Sequence, residues 1–369
     1  MATGKDADVV IVGAGIFGLA CAWSCLREGL RVIVADRNGP GAGASGGLVG
    51  ALSPHVPDRW NPKKQFQFEA LAAAEAYWAS VERTAGRRTG FGRVGRLMPI
   101  ADAAARGRAE ERAADAAANW RGAGEWRVRE GAEFAGWLAP DTAPFGVIHE
   151  TLSARIRPGG AVAALADAVV ALGGELRAGW EVTGLSPGCA EGPRGRLGGE
   201  AVIVAAGAGG FAMLAPFLGP GAGSGEKGQA MALRGAPGNV PLISAHGVFV
   251  VAHDDGTVAV GSTAEAEWTD ATATDGQLDT LRGRAERLCP ALRGAAEIGR
   301  WAGLRPKARR RDPMLGPVPG CDGVFVANGG FKIGFGLAPK VGEALAALVQ
   351  GREAHLPPTF APAYHADSA

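Results

Sequence analysis

The sequence predicts an α/β protein in which a Rossmann-like nucleotide-binding domain is interleaved with an α+β substrate domain built on an antiparallel sheet. Three observations predict it. A complete strand, glycine turn, helix, strand and acid run through Asp8–Asp36, DVVIVGAGIFGLACAWSCLREGLRVIVAD. A second buried-strand signature, AVIVAAGA at Ala201–Ala208, returns to the same kind of domain much later in the chain. Gly228–Glu267 then carries QAMALR, GVFVVAH and TVAVGS, the last two joined by Asp254-Asp255-Gly256, a strong hairpin signal.

The first unit sets the chemistry. Asp8–Val12 is a short β-branched run that reads as a buried strand. Gly13 makes the tight turn after it, Gly15 lets backbone approach a pyrophosphate, and Gly18 lets the helix pack on the strand. Ile16 and Phe17 lie between these glycines and complete the motif at the cofactor. Ile16, Leu19, Ala20, Trp23 and Leu26 recur at helical spacing, and Gly29 is the stop. The helix N-terminus offers free N–H groups to phosphates. Asp36 ends the second strand and would accept from ribose hydroxyls. Its charge argues against a 2′-phosphate. Arg37 beside it keeps that exclusion from being absolute and is counted with the cofactor-binding residues. NAD and FAD both remain open at this point.

Composition excludes several classes. Among 369 residues the net charge is +1, so the whole chain is no electrostatic magnet for nucleic acid or an anionic membrane. No stretch is long and apolar enough to span a bilayer. The acidic residues and glycines of the apolar N-terminal run argue against a secretory leader. The five cysteines are scattered without zinc spacing, so no metal is expected and a reducing, cytoplasmic setting is the default.

A second informative stretch, NGPGAGASGGLVGALSPH over residues 38–55, holds six glycines and is less polar than a linker. Such a loop lets backbone come close to something flat or anionic. With the glycine motif and Asp36, this loop resembles the FAD-dependent amine oxidases of the D-amino-acid oxidase superfamily, the glycine oxidases in particular. The resemblance covers most of the chain and is thinnest over 61–150. It implies FAD as cofactor and places Ala44, Ser45, Gly46 and Gly47 beside it. It also places the Ala206-Gly207 turn against the nucleotide and Val182 at the adenine side.

Between these landmarks the periodicity predicts a helix over Asn61–Ala85, a strand pair in Gly90–Ile100 and a solvated helix over Ala101–Gly122. A strand and helix follow over Ala154–Leu172, a strand over Gly174–Val182 and a helix over Leu278–Leu288. The domains expected are 1–55, 150–225 and 300–350 for FAD and 56–149 with 226–299 for substrate. Residues 351–369 form a C-terminal tail.

Two further stretches carry the candidate catalytic residues. Gly303-Leu304-Arg305-Pro306 matches a family element whose Arg pairs with the substrate carboxylate, and bidentate guanidinium pairing suits that task. The run Lys307, Arg309, Arg310, Arg311 reads as a solvated basic loop. Val324–Ala327 is a strand, a glycine-rich loop follows, and Leu337, Val341, Leu345 and Leu348 lie on one helix face. A helix N-terminus after such a loop is an anion site. Here the family carries a second Arg, where this chain has Gly330-Phe331-Lys332-Ile333-Gly334. Lys332 keeps the charge and loses the fork. Phe249 stands where the family often has a substrate-contacting Tyr, and His55 follows the flavin loop.

The resemblance implies hydride transfer from a small amino acid or secondary amine to flavin N5. Hydrolysis of the imine and reoxidation by oxygen to hydrogen peroxide follow. Two alternatives stay open: a flavin dehydrogenase subunit of a larger assembly, or an oxidase domain related to tRNA-modifying enzymes. A NAD-dependent dehydrogenase is the third, and the interleaved domains fit it less well. The expected partner is the small-molecule substrate, with no nucleic acid and an open oligomeric state.

Overall fold

The structure, a computed structural model, describes residues 5–235 and 238–366. Its helices of a full turn or more are α1 (Ile16–Arg27), α2 (Pro62–Ala85), α3 (Ala103–Trp120), α4 (Pro158–Ala171), α5 (Gly207–Leu218), α6 (Gln277–Leu288), α7 (Gly334–Leu348) and α8 (Pro362–His365). Of the expected C-terminal tail, 367–369 lie outside the described residues.

Six strands form the nucleotide sheet, in the order Met314–Pro317, Val324–Asn328, Ala201–Val204, Val9–Val12, Val32–Asp36 and Glu175–Ala178. All pair in parallel except the first two, which are antiparallel. The alternation of a strand sorts its side chains between two layers. Val9 and Ile11 pack with α1, α2, α4 and α7, whereas Val10 and Val12 pack with Phe211 and Leu214 of α5 and with Leu197. Both faces are covered, which is why these strands read as continuous apolar runs.

The second sheet has eight strands. Their order is Glu297–Ala308, Gly223–Arg234, Thr257–Gly261, Val248–Ala252, Leu242–Ala245, Arg96–Pro99, Val147–Glu150 and Trp126–Arg129. Only Leu242–Ala245 and Arg96–Pro99 pair in parallel. The hairpin at Asp254-Asp255-Gly256 joins antiparallel strands, with Gly256 at φ +82°. One face packs Val250, Val258 and Val260 against Leu278, Leu281 and Ala285 of α6. On the other, Val251 and Ala259 meet Leu48, Val49 and Phe249.

Local signals explain most boundaries. The Asn61 side chain caps α2 by accepting from Lys64 N at 3.1 Å, and Pro62 occupies the first helical position. Gly86 closes that helix at φ +63°. Asp102 caps α3 through Ala105 N at 2.7 Å. Trp23, Trp78 and Trp120 are fully buried in the helical layer. Their rings fill that layer, while the Nε1 of each has no hydrogen-bond partner among the described residues, which offsets part of what the burial contributes.

Three findings differ from expectation. Gly92–Arg93 and Arg96–Pro99 do not pair with each other. The first joins Ala154–Arg155 in a small sheet, and the second joins the large one. Gly95, at φ +72°, turns the chain between them. Helix α5 directly follows the expected glycine turn, although Gly209, Gly210 and Pro216 disguise it. The expected boundaries at 225/226 and 299/300 fall inside Gly223–Arg234 and Glu297–Ala308, which pair along their lengths.

Helices α1 and α7 touch at Gly342, where a Cβ would lie 2.4 Å from the Ala20 carbonyl oxygen. A Cβ on Gly283 of α6 would meet nothing within 4 Å. Gly342→Ala should therefore cost about 1–3 kcal/mol through overpacking. Gly283→Ala should add roughly 0.5–1 kcal/mol through helix propensity. Urea denaturation of the two variants checks the opposite signs.

Candidate active site

The C-terminal ends of the nucleotide strands and one face of the large sheet enclose a cavity of about 940 Å³. Ligand pockets run roughly 300–1,000 Å³, so it has room for a large cofactor together with a small substrate. Every site residue expected from the sequence lines it except Gly18 and Gly46. Those two serve packing. A Cβ on Gly18 would sit 1.9 Å from the Gly13 carbonyl oxygen, and one on Gly46 would sit 2.5 Å from that of Gly41.

The cradle is built from backbone. Gly13 adopts φ +109°, and its Cα faces the Ala205 carbonyl so closely that a Cβ would lie 2.5 Å from the oxygen. Gly15 is the N-cap of α1 and has no side chain to satisfy the helix end. The hydroxyl of Ser45 accepts from Ile16 N at 2.9 Å instead, so the expected flavin loop closes on the helix N-terminus. Asp36 accepts from Ala14 N through Oδ2, and from Asn38 N and Gly39 N through Oδ1, each at 2.8 Å. That arrangement fixes its carboxylate and leaves acceptor capacity on Oδ2 for a ribose hydroxyl. Val182 and Trp180 line the same end, and the buried Trp180 Nε1 has no hydrogen-bond partner among the described residues. Gly207, at φ +59°, starts α5, and the Gly330–Gly334 loop leads into α7 at the cavity wall. Three helix N-termini and an unsatisfied indole donor, with a fixed carboxylate as acceptor, match the groups of an FAD, so the residues present fit that cofactor.

Asn328 escaped the sequence reading. It is buried and lines the cavity, its Nδ2 donates to Gly207 O at 2.8 Å, and its Oδ1 accepts from Gly329 N at 2.9 Å. It thereby couples the two glycine loops. Only its place at the end of an apolar strand could have signalled this.

At the other end, Arg305 lies across Glu226 in the strand register, with its guanidinium over Gly228, where a Cβ would be 1.9 Å away. Arg305 donates to Thr263 O at 3.1 Å and Lys227 O at 3.4 Å. Burial pushes its pKa below the ordinary arginine value, while Glu226 and Glu265 act the other way. Glu226, a second residue that the sequence reading missed, is taken by two lysines. Lys307 Nζ lies 2.9 Å from Oε2, and Lys332 Nζ lies 3.4 Å from Oε1. Both ammonium groups flank the Phe331 ring, at 5.5 and 4.8 Å. Burial would raise the Glu226 carboxyl, but Lys307 and Lys332 outweigh it and hold the carboxyl below its usual range. Lys332 and Lys307 thus share one carboxylate, which leaves their combined charge only partly matched, and Lys307 is ion-paired rather than solvated.

Phe249 lines the cavity as an apolar wall with Trp301 and Leu304. His55 is held by Gln67, whose Oε1 accepts from His55 N at 2.8 Å and contacts the ring at Nδ1. Burial pushes the His55 pKa down, so the neutral ring is favoured. Gln67 and Arg96 also line the cavity, and neither was expected. No cluster of metal-ligating side chains occurs among the described residues, and no described helix is long and apolar enough to cross a membrane.

The family of FAD dependent oxidoreductases described as DAO matches residues 8–348. Glycine oxidase of Pseudomonas aeruginosa is 30% identical over 389 aligned positions, covering 96% of this chain and 98% of that protein. The crystal structure of iminodiacetate oxidase from a Chelativorans species superposes with a TM-score of 0.81 at 28% identity, covering 96% and 98% of the two chains. That of glycine oxidase from Geobacillus kaustophilus reaches 0.86 at 23% identity, covering 98% and 99%, and shows the shared fold.

A Cβ on Gly15 would already lie 3.2 Å from Ser45 Oγ before any nucleotide is considered. Gly15→Val should abolish the close backbone approach and yield apoprotein with an unchanged circular dichroism spectrum. The flavin-to-protein ratio of the purified variant checks this, and full FAD retention would contradict it.

Proposed function

Because the chain belongs to the DAO family of FAD-dependent oxidoreductases, we propose that it oxidises a small carboxylated amine, an amino acid or secondary amine, to the imine, with Arg305 holding the carboxylate. One observation carries the reading. Glu226, the acid facing Arg305, is committed to Lys307 and Lys332, which leaves the Arg305 guanidinium bonded only to carbonyl oxygens. A half-buried guanidinium in that state keeps N–H donors for a carboxylate ligand. Glycine and iminodiacetate, named for two of the relatives, both carry an amine beside a carboxylate.

Gly13, Gly15, Ile16, Phe17, Asp36, Arg37, Ser45, Gly47, Val182, Ala206 and the Gly330–Gly334 loop would hold the FAD. Bound there, it supplies the two-electron oxidation of the amine. The chain's own side chains bind and orient. Arg305, Lys307 and Lys332 outnumber Glu226, and this excess of positive charge disfavours an ammonium in the site. The amine therefore binds neutral, having lost its proton to solvent, and no acid–base triad is called for. Phe249 can hold the substrate only by apolar contact, since it lacks the hydroxyl of a tyrosine. Lys332, paired with Glu226, contributes field rather than a second fork.

The same reading divides the chain into a discontinuous FAD-binding domain and a substrate domain. The six-stranded and eight-stranded sheets support that division, with the joins moved to the ends of the two long paired strands. Oxygen is the proposed electron acceptor. The five cysteines are unpaired and buried, which supports a reducing, cytoplasmic compartment.

Arg305→Ala should weaken turnover of a carboxylated amine far more than that of its decarboxylated analogue. A charge-assisted pair is worth about 1.5–3 kcal/mol, roughly ten- to a hundred-fold in binding. Anaerobic flavin reduction by both compounds in both proteins measures the difference. Equal losses for the two compounds would leave Arg305 as a structural residue only.

A further inference from the structure

The cavity holds a second guanidinium. Arg96 is 8% exposed and lines the cavity from the strand Arg96–Pro99. Its Nε donates to Glu150 Oε1 at 2.9 Å, and its Nη2 donates to Pro54 O at 3.2 Å. Glu150 is fully buried and directly opposite in the strand register. It is itself fixed by Ser153, whose N donates to Oε2 at 2.9 Å and whose hydroxyl donates to Oε1. The guanidinium is therefore held rigid from two sides. Among the described residues no partner takes its remaining nitrogen, Nη1, although arginine presents five N–H donors in a fixed fork. Nη1 is not among the buried atoms shut off from a partner, and the side chain lines the cavity, so this nitrogen is open to a ligand there.

We infer that Arg96, through Nη1, forms a second anion subsite, so that the substrate is a small amine carrying two carboxylates. This rests on the reading of Arg305 as the partner of the first carboxylate. Arg96 then selects among carboxylated amines without touching the reacting carbon, and Glu150 positions it.

The test uses purified holoprotein and two thioether analogues that lack an amine. Methylthioacetate has one carboxylate and thiodiacetate has two. Calorimetric titration of the wild type should show thiodiacetate binding tighter by about tenfold or more. The double variant Arg96→Met/Glu150→Gln removes the buried pair in balance and so spares the fold. It should keep its FAD content, melting temperature and methylthioacetate affinity while losing the preference. Arg96→Lys keeps the charge beside Glu150 and loses the fork, and it should lose the preference as well. No preference in the wild type, or a preference that survives in either variant, overturns the inference. If wild-type protein holding FAD binds neither analogue, the Arg305 reading falls too. Methylthioacetate binding without preference overturns the Arg96 subsite alone.

Discussion

The structure depends on one close approach of backbone. The first residue of the glycine turn lies against Ala205, and the third lies against the first, so that any side chain at Gly13 or Gly18 would overlap a carbonyl. This contact sets the N-terminus of α1 at the ends of three parallel strands. Ser45 then brings the second glycine loop onto that helix end, and Asn328 brings the loop before α7 onto the turn at Gly207. Each loop comes from a different part of the chain, so the cavity exists only when the six-stranded sheet is assembled. Asp36 strengthens this by holding three backbone N–H groups of its own surroundings. A dipole-rich cradle of this kind is preorganised for an anionic cofactor and needs little rearrangement to accept it.

The far end of the cavity is governed by the assignment of partners among charges. A buried ion pair adds little stability by itself, since desolvation offsets the attraction. Its consequence here is to decide which charge is left without an acid. Glu226 is shared by two lysines and Glu150 is committed to Arg96, so neither acid neutralises Arg305. Lys227 and Glu265 form a further buried pair behind it. The carbonyl oxygens of Lys227 and Thr263 aim the guanidinium without cancelling its charge. Phe249, Trp301 and Leu304 make the adjacent wall apolar, which strengthens any ion pair formed there.

Local chemistry was legible in the sequence and long-range pairing was not. The glycine turn, Asp36 and the hairpin at Gly256 each announce themselves within a few residues. Arg305 and Lys332 were reached through a family likeness, and the cavity collects both. Glu226, Arg96 and Asn328 were missed because each draws its meaning from a residue far away in the chain. Nothing around Arg96 predicts Glu150, since the two meet only through strand register. The two strands near Gly95 read as a pair because their placement in separate sheets has no local signature. Helix α5 was hidden by the glycines that let its first turn approach the cofactor site and by Pro216 inside it.

The central claim is that this cavity oxidises an amine recognised by its carboxylate. Anaerobic mixing of the purified yellow protein with amino acids, carboxylated secondary amines, amines lacking a carboxylate and reduced nicotinamide tests it most directly, with flavin bleaching as the readout. The account predicts that bleaching is confined to carboxylated amines and that admitted oxygen restores the colour with release of hydrogen peroxide. Bleaching by reduced nicotinamide or by amines without a carboxylate, with none by carboxylated amines, would contradict it.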